Sequence, residues 1–179
     1  MERPESVRAA DQQAHYDELY RAQYPRIVRL CRLLLVDPQE AQEVGQEVFL
    51  KLLREFQAQP RPIAWGAWLT RVAVNACRDR RRSGWWKWWR ESSEEFQDGA
   101  FPAEGLTPEE EVLSREEQRR IWGAFRVLSP RQQEVFVLRH LEEWSTEEVA
   151  EMLGLTVGSV KRHLFRAVRH LRKAVGGHA

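Results

Sequence analysis

Apolar residues recur along this chain in steps of three and four, the period of helices that bury one face. Ala41, Val44, Val48, Leu52 and Phe56 form one such stripe, and Val157, Val160, Leu164, Val168 and Leu171 form another. Trp65, Trp68, Leu69, Val72 and Ala76 define a third apolar face. No stretch alternates apolar and polar residues as a half-buried strand does. The periodicity predicts helices near 12–35, broken about Pro25, and over 39–57, 63–83, 109–127, 130–141, 146–153 and 157–174.

Turn and cap residues divide these helices into groups. Asp37-Pro38 ends one apolar run and starts the next, and Gln59-Pro60-Arg61-Pro62 reads as a loop. Residues 99–108 hold two Gly and two Pro without helical period, so they read as linker. The expected fold is all-α: a tail over 1–14, a small helical domain over 15–83, a flexible linker over 84–108 and a second helical domain over 109–175. The second domain carries the clearest local signals. Ser129 with Gln132, and Ser145 with Glu148, have the spacing of capping boxes, and Pro130 suits a first helical position. Gly154 suits a helix end and Thr156 the next N-cap. A short helix, a Gly-containing turn and a longer basic helix make a helix-turn-helix pattern.

Composition narrows the function. The 179 residues carry 28 Lys or Arg against 27 Asp or Glu, a net charge of +1. Pro62 to Thr70 is as long as an uncharged run becomes, well short of the about 20 apolar residues that span a bilayer, so no membrane insertion is expected. The N-terminal MERPESVRAADQQ has no apolar core of a secretory signal. Cys31 and Cys77 are too few for a disulfide scaffold and lie in apolar-periodic segments, which predicts buried small hydrophobes. The five histidines form no ligand cluster with them, and HExxH, GxSxG and P-loop motifs are absent, so no metal, no cofactor and no catalytic residue is expected.

The charges are unevenly placed. Residues 91–111 hold eight acids and no Lys or Arg, residues 156–173 hold six Lys or Arg and no acid, and residues 78–82 read RDRRR. Two basic patches flanking an acidic segment fit two contact surfaces for a polyanion; solvated helix faces and an acidic linker are the plainer reading.

Helical projection assigns the outer faces. On the last helix Lys161, Arg162, Phe165, Arg166 and Arg169 fall opposite the apolar stripe. Arginines there suit guanines or phosphates, and a phenylalanine among them suits a thymine methyl or a sugar, or else packs on another element. On the helix near 39–57, Glu43, Gln46, Glu47, Leu50 and Arg54 project together, a mixture suited to a protein partner or to an ordinary solvated face. Gly45 lies within that helix at a cost of about 1 kcal/mol relative to Ala, which a close approach by a neighbouring helix would explain. On the helix near 63–83, Arg71, Asn75, Arg78 and Arg82 follow steps of four, three and four beside Trp65 and Trp68. Cations beside indoles suit single-stranded nucleic acid, although tryptophans at helical spacing are also ordinary core.

Taken in order, the run LYRAQYPRIVRLCRLLLVDPQEAQEVGQEVFLKLLREF, then AWLTRVAVNACRDRRR, then LSPRQQEVFVLRHLEEWSTEEVAEMLGLTVGSVKRHLFRAVRHLRK resembles a bacterial RNA polymerase sigma factor of the extracytoplasmic-function (ECF) group. The resemblance covers about 15–83 and 109–175. It implies a non-enzymatic, cytoplasmic subunit that binds core RNA polymerase, at the β′ coiled coil and the β flap, and directs initiation at promoters. It implies that Glu43, Gln46, Glu47 and Leu50 bind core polymerase. Trp68, Arg71, Asn75, Arg78 and Arg82 would recognise and melt the −10 element, with a pocket for a flipped base at Ala58 to Ile63. Lys161, Arg162, Phe165, Arg166 and Arg169 would read the duplex −35 element. An anti-sigma factor is left open as a further partner. The chain departs from the family at Glu43, where Asp is usual, and at Gly45, where an apolar residue is usual. The segment Gly84-Trp85-Trp86-Lys87-Trp88-Trp89 has no counterpart, and packing, a partner protein or DNA could each use its four indoles.

Two rivals predict different behaviour. A free-standing helix-turn-helix regulator would bind duplex without polymerase, as a dimer on paired half-sites. A sigma-like adaptor would bind polymerase without reading DNA.

Overall fold

The computed structural model describes residues 4–35, 37–58, 64–83 and 108–176, and among them every regular element is a helix. The chain divides into two compact units, 1–93 and 94–179. The first holds α1 (Pro4–Leu34), α2 (Pro38–Ala58) and α3 (Trp65–Arg82); the second holds α4 (Pro108–Val127), α5 (Pro130–His140), α6 (Thr146–Leu153) and α7 (Val157–Val175).

In the first unit each helix packs on the other two. Their core is Ile27, Leu30, Cys31 and Leu34 of α1, Ala41, Val44, Val48 and Leu52 of α2, and Leu69, Ala73, Val74 and Cys77 of α3. Both cysteines are free and buried, as their apolar surroundings predict. The chain turns from α1 to α2 at Asp37, whose Oδ1 accepts the Gln39 N–H at 2.8 Å. At the end of α1 the Arg81 guanidinium donates to the Leu34 carbonyl, one of the acceptors a helix end leaves open.

Three expectations are corrected here. The first helix is continuous through Pro25 rather than broken there. A proline inside a helix costs about 3 kcal/mol, and packing on both sides of it supplies the compensation. Tyr20 and Tyr24 lie on Phe49 with ring centroids at 4.9 and 5.3 Å, and Ile27 and Leu30 are fully buried one turn later. That helix also begins at Pro4, so most of the segment expected as a tail is helical. On α3 the buried face is Leu69, Thr70, Ala73, Val74 and Cys77, while Trp65, Trp68, Val72 and Ala76 are half-buried at its side. Apolar residues occupy so many positions of α3 that two stripes overlap. Packing between α1 and α2 selects the stripe of smaller side chains.

Gly45 has the close neighbour its position calls for. A Cβ there would lie 2.9 Å from Val28 Cγ2 of α1.

In the second unit α7 packs on α4, α5 and α6. Val135, Val137, Leu138, Val149, Leu153, Val160, Ala167 and Leu171 form the core; Val157, Leu164 and Val168 are half-buried beside them. The caps form as their spacing predicts. Ser129 and Gln132 make a capping box on α5, and Ser145 and Glu148 make one on α6. The hydrogen bonds from Ser145 hold the Glu148 carboxyl below its ordinary pKa. Gly154 ends α6 in the left-handed region at φ 64°, and Thr156 Oγ1 accepts the Ser159 N–H at 3.1 Å to start α7. The result is a helix-turn-helix, α6 and α7.

The segment expected as linker, its GWWKWW run and most of the loop at Ala58 to Ile63 lie outside the described residues.

Candidate nucleic-acid interface and acidic face

α7 presents Lys161, Arg162, Phe165, Arg166 and Arg169 on one exposed face. Phe165 is 66% exposed, so it does not pack on another described element. It borders a shallow groove with Val168, Arg169, Arg172, Lys173 and Gly176. The capped N-terminus and the αL turn fix how α7 leaves α6, so this face is held by a rigid scaffold rather than by a loop. The face sets cations, suited to phosphates or guanine edges, around one exposed apolar ring.

His163 lies on the flank of this face. Burial first, and then the Arg166, Arg131 and Arg162 charges, lower its pKa from 6.5, and Glu134 opposes them. Glu134 is buried and paired with Arg131 at 2.9 Å.

On α3 Arg71, Asn75 and Arg82 are exposed and Arg78 is half-buried. Arg78 Nη1 lies 3.5 Å from Asn75 Oδ1, a long contact that ties the two into one polar stripe. Trp68 stands edge-on to Trp65 at 5.7 Å, and Trp65 lies 5.5 Å from Phe56 of α2. The indole is thus steadied on one side and half open on the other, the arrangement that lets a ring both pack and stack.

On α2 Glu43, Gln46, Glu47, Leu50 and Arg54 are all exposed, and Leu50 is 56% exposed. One residue of this face was not found by helical projection. Arg80 of α3 reaches Glu47 Oε1 at 2.9 Å and Glu43 Oε2 at 3.5 Å, with Glu40 at 3.9 Å. The run RDRRR reads as one basic patch, yet its residues part company at 100° per residue. Arg80 turns to the acids of α2, Arg81 to the end of α1, and Arg82 to solvent. The angular offset was available from the sequence; the acids it meets were not.

Among the described residues no group of three or more His, Cys, Asp or Glu is placed to hold a metal ion. No helix among them is long and apolar enough to cross a membrane.

Comparison with known proteins agrees with this geometry. Residues 19–87 match the family described as Sigma-70 region 2, and residues 118–171 match Sigma-70, region 4. The fold and its two matched regions define a sigma subunit of bacterial RNA polymerase. The chain is 30% identical over 159 residues to the RNA polymerase sigma-E factor of Streptomyces coelicolor, covering 88% of this chain and 84% of that one. It is 28% identical over 178 residues to the ECF RNA polymerase sigma factor SigW of Bacillus subtilis, covering 96% and 94%. Two solved structures share the fold. The sigma factor RpoE of Bartonella quintana, in complex with the anti-sigma factor NepR, has a TM-score of 0.69 at 17% identity, covering 92% of this chain and 99% of that one. CnrH, in complex with the cytosolic domain of CnrY, has 0.62 at 21%, covering 97% of each. The chain belongs to the ECF family of RNA polymerase sigma factors. It directs promoter-specific transcription initiation by RNA polymerase.

Proposed function

We propose that the three exposed faces divide the work of initiation. Residues 15–83 serve as region two and 109–175 as region four, with 84–108 as the linker. Lys161, Arg162, Phe165, Arg166 and Arg169 read the −35 duplex. Trp68, Arg71, Asn75, Arg78 and Arg82 engage the −10 strand as it opens. Glu43, Gln46, Glu47 and Leu50 dock on the β′ coiled coil of core polymerase, and region four meets the β flap.

The observation that carries this reading is the exposed Phe165 within the cationic face of α7, on a capped helix-turn-helix. Such a ring is better accounted for by a groove than by solvent. Melting needs no nucleotide hydrolysis on this scheme. Contacts with unstacked bases offset the few kcal/mol that unpairing costs at each step. The chain then acts in the cytoplasm as a dissociable subunit without catalytic residues of its own. An anti-sigma factor, the kind of partner bound to RpoE in its structure, is a further partner in this reading.

The test adds the purified chain to core bacterial polymerase and maps transcripts from a library of host promoter fragments. Discrete starts that share a −35 and −10 pair are expected. Stable polymerase binding without transcripts would instead identify an adaptor. Tight, dimeric duplex binding without polymerase would identify a free-standing regulator.

A further inference from the structure

α2 sets Glu40, Glu43 and Glu47 along one face at steps of three and four. Carboxylates at that spacing repel one another. The Arg80 guanidinium of α3 lies across them: Nη2 is 2.9 Å from Glu47 Oε1, and Nη1 is 3.5 Å from Glu43 Oε2 and 3.9 Å from Glu40 Oε1. Glu40 is buried, whereas the Glu43 and Glu47 side chains are 50% and 53% exposed. The two exposed carboxylates of Glu43 and Glu47 share the one guanidinium of Arg80, so this trio keeps a net negative charge. The guanidinium touches one oxygen on each of Glu43 and Glu47, and a carboxylate has two.

We propose that Arg80 is a positioning residue of the polymerase-binding face. Its planar fork holds the Glu43 and Glu47 carboxylates at a fixed separation, ready for a cation on core polymerase. The proposal rests on the assignment of Glu43 and Glu47 to that face. An arginine suits the role because one rigid fork can hold two carboxylates at once, which a lysine ammonium on a flexible stem does poorly. Ordering these side chains before docking removes a cost that binding would otherwise carry. The contacts to Glu43 and Glu47 end on half-exposed carboxylates, so they add little to folding.

The alternative has the opposite sign. If Arg80 merely occupied the acids in place of a polymerase cation, removing it would tighten binding. Affinity of the full chain for core polymerase, measured without DNA, separates the two. The set is wild type, Arg80→Gln, Arg80→Lys, the Glu43→Gln/Glu47→Gln double variant, and that double variant with Arg80→Gln, each checked for unchanged thermal unfolding. The double variant should bind weakly. Arg80→Gln should bind roughly fivefold more weakly than wild type, mainly through faster dissociation, and Arg80→Lys should recover only part of the loss. Adding Arg80→Gln to the double variant should cost nothing more, because Arg80 acts through those carboxylates.

Unchanged or tighter binding by Arg80→Gln, with the double variant weakened, would overturn the positioning role and leave the face assignment standing. An equal loss from Arg80→Gln in both backgrounds would make Arg80 a general structural residue and overturn it too. Wild-type binding by the double variant would overturn the face assignment and the proposal with it.

Discussion

Val28 of α1 stands where a side chain on Gly45 of α2 would need to be. A Cβ at position 45 would come within 2.9 Å of Val28 Cγ2. An approach this close forces a shift, and a β-branched valine has little rotamer freedom with which to give way. Among the described residues, nothing lies within 4 Å of the same added atom at Gly123 on α4. The two glycines therefore predict opposite signs. Gly123→Ala should stabilise by roughly 0.5–1 kcal/mol, the helical preference of Ala over Gly. Gly45→Ala should destabilise by about 1 kcal/mol despite that preference, because overpacking outweighs it. Urea unfolding of each variant measures both, and a stabilised Gly45→Ala would show that α1 yields freely.

Arg26 joins α1 to the start of α3. Its Nη1 donates to Thr70 Oγ1 and its Nη2 to the Gly66 carbonyl, each at 3.0 Å, and its Nε donates to Gln23 Oε1 at 2.8 Å. Thr70 is fully buried, so its hydroxyl depends on partners inside the protein. Arg26→Leu should destabilise by about 2 kcal/mol. Arg26→Lys should fail to restore it, since one ammonium cannot replace three directed donors. Chemical denaturation, read against the wild-type midpoint, checks both.

Phe165 and Arg162 are exposed, so their removal should be felt in DNA binding rather than in folding. Phe165→Ala should change stability by less than about 0.5 kcal/mol. It should weaken −35 binding by roughly 1–3 kcal/mol and most at the base pairs the ring faces. Arg162→Ala or Arg166→Ala should weaken binding and reduce the slope of log K against log salt by about 1 for each phosphate the arginine had neutralised. Titrations of the polymerase complex on promoter fragments at several salt concentrations measure both effects. A slope unchanged by either substitution would show that the arginine concerned does not neutralise a phosphate.

His163 gives the second unit a dependence on acid. Burial and the neighbouring Arg166, Arg131 and Arg162 charges lower its pKa in the folded state below 6.5, against the weaker pull of Glu134. The folded state therefore binds fewer protons than the unfolded state just below that value. This contribution to stability is fully present above pH 6.5 and is lost as the pH falls through the depressed folded value. Thermal unfolding of wild type and His163→Gln between pH 7.5 and pH 5 checks it, scanning about the reference pKa of ~6.5. The difference between the two should change with pH, and a parallel pair of curves would assign the acid dependence elsewhere.

Much of this protein was legible because it depends on neighbours in sequence. The capping boxes at Ser129 and Ser145, the stop at Gly154 and the cap at Thr156 each involve residues within a few positions, so type and spacing are sufficient to specify them. The outward faces of α2 and α7 follow from one clear apolar stripe on each helix. A single stripe leaves only one side to solvent, so Glu43, Gln46, Glu47 and Leu50, like Lys161, Arg162, Phe165, Arg166 and Arg169, emerge exposed as projected.

Tertiary structure decided what depends on distant partners. Pro25 reads as a break because the sequence shows only its local cost, while the rings and buried side chains that hold α1 continuous come partly from α2. On α3 the apolar positions are too many to define one face, and the space between α1 and α2 chose Leu69, Ala73, Val74 and Cys77 over the larger Trp65 and Trp68. Arg80 is one of several arginines in a row until folding places α2 beside it. Helical period fixes the direction in which a side chain leaves its own helix, but the charge it meets belongs to another helix, and only packing sets that distance.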